Sequence, residues 1–533
     1  MSTSERCAGY QQLKKLSSTI KPFSVFWVLP EGWGGFVYAK VVSQTINTFC
    51  ASTDAVISST HVPSQYRNQR GNTEYPDWGK KQKLASIAQN IWNKMVELKP
   101  TRETAYHMTH DGYLKLWQLE KPVLEGYDVI FIDEAQDCTP AIMDIMLAQP
   151  CGKILVGDPH QQIYSFRGAV NALYTVPHTH IYYLTQSFRF GPEIAFVGAS
   201  ILNVCKGVKR TLVGTLQKGN VCGTGQTEGS VAILSRSNVS VFSEAVRLTE
   251  DNPQCRIHIV GGVDSFGLKR IMDIWVLMQP DEKRKKENLS IQDAFIRGFS
   301  KVRLGGYMGL KRYATNTEDH ELEAKLEVVE RYHTRLPELI RRIYSCAESD
   351  PTRADYILGT VHKAKGLEFD SVMVTDDFMK VTSPSDIRAL VSKGNMVCDE
   401  WNLLYVAVTR AKRNLTINPT IYNILTMVGE YFLRSELTSV IQQQSPTLSC
   451  CIRNCSNTLD PRCPVSMLKL PVKYVSHAVL QGPVCVQCVQ RRVGPLALLM
   501  EHPERLWSQQ PPDEDEDELQ HMPIDVDMLV ALL

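Results

Sequence analysis

Short apolar runs, each closed by a polar residue, recur along this chain. Asp128-Val-Ile-Phe-Ile-Asp133 and Lys153-Ile-Leu-Val-Gly-Asp158 are continuous rather than alternating. That is the pattern of strands buried on both faces of a parallel sheet. Similar runs stand at residues 181–184, 230–235, 257–260, 356–359, 371–375 and 414–417. Between them the pattern turns helical. Pro192 opens a predicted helix at 192–206, and Leu84, Ile87, Ile91, Met95 and Leu98 share one face of another. Residues 40–49 predict a packing helix, 402–412 a helix carrying Arg410, and 62–80, polar with Pro and Gly, a loop. This alternation predicts an α/β fold on a parallel sheet. Residues 266–348 are helical and charged, with 319–345 as one amphipathic helix bearing i,i+4 charge pairs, and read as an insertion.

Length and charge refine the picture. At 533 residues the chain predicts roughly three to four domains. Its 43% hydrophobic and 22% charged content is ordinary for a globular protein. No run of about 18 apolar residues predicts a membrane span, and Met1-Ser-Thr-Ser-Glu-Arg-Cys7 lacks the apolar core of a secretion signal. The 15 cysteines therefore read as thiols or metal ligands rather than disulfides. Net charge is +1, but residues 513–518 are six consecutive acids, and removing them leaves +7. Basic clusters at 206–210, 283–286 and 301–312 are candidate phosphate contacts, with solvated helix faces as the plainer explanation.

The chemistry sits at strand ends. Asp133-Glu-Ala-Gln-Asp137 follows the first apolar run, and Gly157-Asp-Pro-His-Gln-Gln-Ile-Tyr-Ser-Phe-Arg-Gly-Ala169 follows the second. In an open α/β sheet such ends converge on one crevice. An acid there can hold Mg²⁺ through water and a neighbouring Glu can orient the attacking water. Asp133 and Glu134 fit those roles, and Gln161 is placed to touch a γ-phosphate. A solvated turn explains one Asp-Glu pair as well; two polar strand ends in sequence weigh against it.

Leu184-Thr-Gln-Ser-Phe-Arg-Phe190, Thr360-Val-His-Lys-Ala-Lys-Gly-Leu-Glu-Phe369 and Asn402-Leu-Leu-Tyr-Val-Ala-Val-Thr-Arg-Ala-Lys412 complete a series. Together with the opening stretches, it resembles motifs II to VI of superfamily 1 helicases of the UvrD/Rep type. Thr109-His-Asp-Gly-Tyr-Leu-Lys-Leu-Trp117 and Phe166-Arg-Gly-Ala-Val-Asn-Ala-Leu173 are similar to the F-box-bearing branch of that family. The resemblance spans residues 20 to about 500. It implies two RecA-like P-loop NTPase domains, the first incomplete, with helical insertions and a small C-terminal zinc-ribbon-like segment. The corresponding boundaries are 1–125 for a remnant of domain 1A with a helical 1B insertion, 126–184 for domain 1A, and 185–265 for the first part of domain 2A. Then follow 266–350 for a 2B-like insertion, 351–435 for the second part of 2A, 436–500 for the cysteine segment and 501–533 for an acidic disordered tail.

The resemblance also implies roles. ATP and Mg²⁺ are the cofactors, with Asp133 on Mg²⁺, Glu134 activating water and Gln161 sensing the γ-phosphate. Arg189 and Arg410 act as arginine fingers, Phe188 stacks on adenine where the family often has Tyr, and Gly366 and Glu368 approach the nucleotide, Glu368 at the ribose. Tyr164 and Phe166 stack on bases of a single DNA strand, and Arg167 and His362 contact it. The implied activity is 3′–5′ DNA unwinding in the nucleus, in homologous recombination, double-strand break repair and at stalled forks. The partners are single-stranded, fork or recombination DNA and recombination or replication proteins, with no membrane. An RNA helicase of the superfamily is a weaker reading.

The sequence also departs from that family. A phosphate-cradling loop, Gly-x-x-x-x-Gly-Lys-[Ser/Thr], is missing; Glu31-Gly-Trp-Gly-Gly-Phe36 lacks its Lys-Ser/Thr ending. The expectation is a truncated chain with impaired hydrolysis, an unpaired sheet edge, and neither an F-box nor a ubiquitin-ligase scaffold contact. A non-catalytic DNA- or partner-binding protein is the rival reading. Near the C-terminus, Cys451-x₃-Cys455 and Cys485-x₂-Cys488 have the spacing of a four-thiolate zinc site, with Cys463 and His477 as substitutes and scattered reduced thiols as the alternative.

Overall fold

The computed structural model describes residues 19–488 except 69, 209–211, 216, 218, 224–229, 302–303, 381–394, 429–431, 438–440, 444–447, 453–454, 461–464, 471–472, 475–476 and 479–481. The acidic tail, Cys463 and the side chain of His477 lie outside the described residues. Two units divide the chain, one of residues 1–178 with 267–336 and one of 179–266 with 337–533.

In the first unit the helix Phe36–Ala51 packs on Trp78–Val96 through Val42, Ile46, Phe49, Leu84, Ile91, Trp92 and Met95. The second helix starts six residues before its apolar stripe. Asp77 accepts the Lys80 amide there and caps it, and the lysines of the first turns hid that extension. The loop ahead of it folds into a small antiparallel hairpin, β1 (Tyr66–Arg67) with β2 (Thr73–Glu74). The charged block at 267–336 joins this unit through aromatic packing. Phe23, Phe36, Phe295, Phe299 and Tyr313 meet at centroid separations of 4.6–6.3 Å, within the range of edge and tilted ring contacts. A Lys40–Glu318 ion pair closes the same contact at 2.5 Å. Residues 319–345 are two helices, not one, His320–Tyr332 and Leu336–Cys346, broken at His333 in a left-handed backbone, φ 36°.

The two motif strands, β3 (Val129–Ile132) and β4 (Gly152–Leu155), pair in parallel with Ile132 opposite Leu155. Burial on both faces is not observed. Ile130, Ile132 and Leu155 pack with Met143 of the helix Pro140–Leu147. On the opposite face Val129, Phe131, Ile154 and Val156 are open to solvent, Phe131 at 70%. Among the described residues this sheet has two strands only, so alternate side chains have nothing to pack against.

The second unit carries the larger sheet. Its strands are β5 (Asn220–Cys222), β6 (Val231–Ser235), β7 (Ile257–Ile259), β8 (Tyr356–Thr360), β9 (Phe369–Val374), β10 (Ala411–Thr416), β13 (Lys473–Tyr474) and β14 (His477–Ala478). They lie in the order β14-β13-β5-β10-β9-β6-β8-β7, parallel except for the β13/β14 hairpin. Central β6 is buried at every position, as its unbroken apolar run requires. The helix Pro192–Lys206 matches its expectation, with Gly207 closing it at φ 66°. A separate antiparallel sheet joins β11 (Phe432–Leu437), β12 (Val465–Leu470) and β15 (Gly482–Val484). Residues 181–184 form no strand; the nearest pairing is the isolated bridge of Gln186 with Val213. No helix of the described residues is long and apolar enough to cross a membrane.

Candidate functional site

In the first unit the carboxyl ends of β3 and β4 are tied into one group. Val156 donates its amide to the Ile132 carbonyl at 2.8 Å, and Ala135 donates to the Val156 carbonyl at 3.0 Å. Asp133 is exposed, and its Oδ1 accepts the Glu134 amide at 2.9 Å. Glu134 takes a left-handed backbone, φ 51° and ψ 39°, which costs a non-glycine residue on the order of 1–3 kcal/mol. Gln136 is fully buried and spans both strand ends: its Nε2 donates to Glu134 Oε2, and its Oε1 accepts the Asp158 amide at 3.1 Å. Asp158 caps the short turn Pro159–Gln161 through the His160 amide at 2.9 Å, and Gln161 Nε2 donates to Asp158 Oδ2 at 3.0 Å. Asp133, Glu134 and Gln161 are thus brought to one edge. Gln136 was missed by sequence reasoning, although it stood two residues past the Asp-Glu pair.

The next turn presents the aromatic pair. Tyr164 precedes the turn Ser165–Arg167, which Gly168 closes at φ 82°. Tyr164 is half-buried and Phe166 is 72% exposed, with ring centroids 6.2 Å apart. A cleft of about 190 Å³ beside them is lined by Asp111, Asp137, Thr139, Tyr164 and Arg167. Arg167 lies 3.6 Å from Asp111. Burial pushes the Asp111 carboxyl up from its ordinary value, against the pull of Arg167.

The second unit gathers the other residues. Arg189 Nε donates to Glu368 Oε2 at 3.0 Å and Nη1 to the Thr409 carbonyl at 3.0 Å. The hydrogen bond from Arg189 holds the Glu368 carboxyl below its ordinary value, and Lys412 adds a second cation at 3.7 Å. The carboxylate expected at the ribose is here an arginine partner. Arg410 does not ride on a helix. The helix Asn395–Val408 ends two residues earlier, and the guanidinium, 2% exposed, donates to the carbonyls of Val406 at 3.1 Å and Leu367 at 3.3 Å. Phe188 projects its ring at 83% exposure. His362 is half-buried in the single turn Val361–Ala364 after β8, and Gly366 takes φ 83° in the bend before Glu368.

Comparison with known proteins finds relatives of both units. The sequence model of the UvrD/REP helicase N-terminal domain fits residues 68–178, and that of the UvrD-like helicase C-terminal domain fits 313–421. F-box DNA helicase 1 of Gallus gallus is 48% identical over 501 residues, 92% of this chain and 49% of that protein. The chain belongs to the UvrD-like superfamily 1 helicases. F-box DNA helicase protein 1 of Schizosaccharomyces pombe is 29% identical over 413 residues, 73% of this chain and 44% of that one. UvrD2 of Mycobacterium tuberculosis, an ATP-dependent DNA helicase, is 24% identical over 338 residues, 55% of this chain and 47% of its own. The chain spans about half the length of the curated relatives it matches.

For this UvrD-like chain, the donor set at β3 fits a hydrated divalent cation. Asp133 offers an exposed carboxylate at a strand end, an all-oxygen donor of the kind Mg²⁺ takes while keeping several waters. The thiol grouping differs from the expected one. Cys450, Cys455, Cys485 and Cys488 converge, whereas Cys451 donates its thiol to the Gly482 carbonyl at 3.1 Å and stays out of the cluster. Two residues of the basic clusters form local ion pairs, Arg284 with Asp281 and Lys311 with Glu330 at 2.7 Å, as on a solvated helix face.

Proposed function

We propose that this chain is the motor portion of an ATP-dependent 3′–5′ DNA helicase that translocates on single-stranded DNA. One observation carries the reading: Asp133 and Glu134 at the end of β3 and the turn bearing Gln161 at the end of β4 are locked together through the buried Gln136. Bound Mg²⁺ would supply charge neutralisation on the phosphates, with Asp133 holding it. Glu134, kept in place by the Gln136 amide, accepts the proton of an attacking water and orients it. Gln161, hinged on Asp158, reaches toward the terminal phosphate. The family resemblance marks Arg189 and Arg410 as arginine fingers, a role worth about 10³ to 10⁵ in rate. Tyr164 and Phe166 give bases a stacking platform that reads no sequence, with Arg167 and His362 on the backbone.

The cellular setting we assign is the nucleus, on fork and recombination DNA alongside recombination and replication proteins; the family resemblance supports it. A second reading has its own observation. The chain carries no Gly-x-x-x-x-Gly-Lys-[Ser/Thr] loop, which favours a chain that binds DNA or a partner without turnover. ATP hydrolysis by the purified chain, with and without oligothymidylate and beside Glu134→Gln, separates the two. Stimulated hydrolysis abolished by Glu134→Gln supports the motor reading for this chain. Absence of hydrolysis by a folded chain that still binds DNA overturns it in favour of binding.

A further inference from the structure

We propose that Cys450, Cys455, Cys485 and Cys488 hold one structural zinc ion that fastens the end of β15 to the connection between β11 and β12. Their sulfurs all lie within 4.8 Å of one another. Cys455 Sγ stands 3.8 Å from Cys485 Sγ and 3.6 Å from Cys488 Sγ. A tetrahedron with Zn–S bonds of about 2.3 Å has sulfur–sulfur edges of about 3.8 Å, so these separations are those of ligands around a common centre. A disulfide would need sulfurs about 2.0 Å apart, and all four are free thiols.

The backbone builds the site from two limbs. In the first, Ser449 bridges Thr458, the Cys450 amide donates to the Asn457 carbonyl at 2.8 Å, and the Cys455 amide donates to Ile452 at 3.0 Å. That turns residues 448–452 and 455–459 into a tight knuckle that brings both sulfurs into the cluster. In the second, β15 delivers Cys485 and Cys488 from the turn that follows it. Two N–H groups point at sulfur: the Cys485 amide at Cys450 Sγ, 3.3 Å, and Asn457 Nδ2 at Cys485 Sγ, 3.6 Å. Such donors orient ligands and spread the thiolate charge. Cys451 faces the other way, bonded through its amide and its thiol to Pro483 and Gly482 of β15. The ligand pattern is therefore Cys-x₄-Cys followed by Cys-x₂-Cys.

Four thiolates in a closed tetrahedron suit zinc or iron and leave no open position for chemistry. Zinc is the redox-silent choice of the two. The ion closes a 30-residue span that includes β12 to β15, and β15 is held otherwise by three register pairs with β12 and the two bonds from Cys451.

Elemental analysis of the freshly purified full chain should give one zinc per molecule. Cys450→Ser should lose that zinc and Cys451→Ser should keep it. Titration of the unmodified chain with a mercurial should release one zinc per molecule, a readout independent of how the variants fold. The proposal fails if the chain neither carries zinc nor takes it up from added zinc chloride in reducing buffer. It fails equally if equimolar iron is found, if the four thiols are oxidised in pairs, or if Cys451→Ser loses the metal while Cys450→Ser retains it.

Discussion

Phe166→Ala separates a base-stacking platform from an ordinary surface ring. Phe166 sits in a single turn between Tyr164 and Gly168 with 72% of its surface exposed. Removing it takes little apolar area out of the folded state, so stability should change by no more than about 0.5 kcal/mol, as at most surface positions. If one base stacks on the ring, its loss costs about 1–3 kcal/mol, which at about 1.4 kcal/mol per decade is a 5- to 150-fold weaker complex. Fluorescence anisotropy with labelled oligothymidylate at fixed salt reads that change, and a thermal melt controls for folding. The salt dependence adds a second axis. Stacking releases no counterions, so the slope of log affinity against log salt should be unchanged in Phe166→Ala and shallower in Arg167→Ala. Unchanged affinity in Phe166→Ala, or a loss accompanied by an equal collapse of the melt, would refute the platform.

Gly309→Ala should destabilise the first unit by about 1–3 kcal/mol, because a Cβ there would drive into the Leu304 carbonyl, while Gly34→Ala, with nothing within 4 Å, should be near neutral; denaturant midpoints of the two variants test this. Burial pushes the Cys50 and Cys205 thiols up to about 12. At pH 8 only about 1 in 10⁴ of each would be thiolate, against roughly a quarter of an unperturbed cysteine. Iodoacetamide followed by peptide mass spectrometry should leave both unlabelled in the folded chain and label them after denaturation.

Much of the second unit was legible because its strands are unbroken apolar runs separated by helices such as the one that begins with Pro192 and ends before Gly207. Strand ends carrying Asp133, Glu134 and Gln161 followed from the same pattern. What failed did so for local reasons. The helix before Arg410 stops without glycine or proline; Thr409 bonds back to the Tyr405 carbonyl at 2.9 Å and the chain turns into β10. The break in 319–345 did have a signal, since Pro337 disfavours helix in the residue before it, yet the turn itself falls on His333, which no propensity marks. Adjacent Cys450 and Cys451 differ by one position, and only the side of the knuckle each faces decides which is a ligand. The open face of β3 and β4 was foreshadowed by the missing loop rather than by the runs themselves, which look the same whether a neighbouring strand is present or not.

The Gln136 carboxamide makes the two strand ends a single kinematic element. One group accepts from the Asp158 amide and donates to Glu134, so neither end can shift alone without leaving a buried amide unsatisfied, a penalty of about 1–3 kcal/mol. In the role proposed for it, Glu134 begins with its reorganisation already spent. Conversely, a ligand that draws Glu134 out of place pulls, through one rigid planar linker, on the loop that positions Gln161. Occupancy at one strand is in this way transmitted to its neighbour within a span of a few ångströms, with no movement of the sheet required.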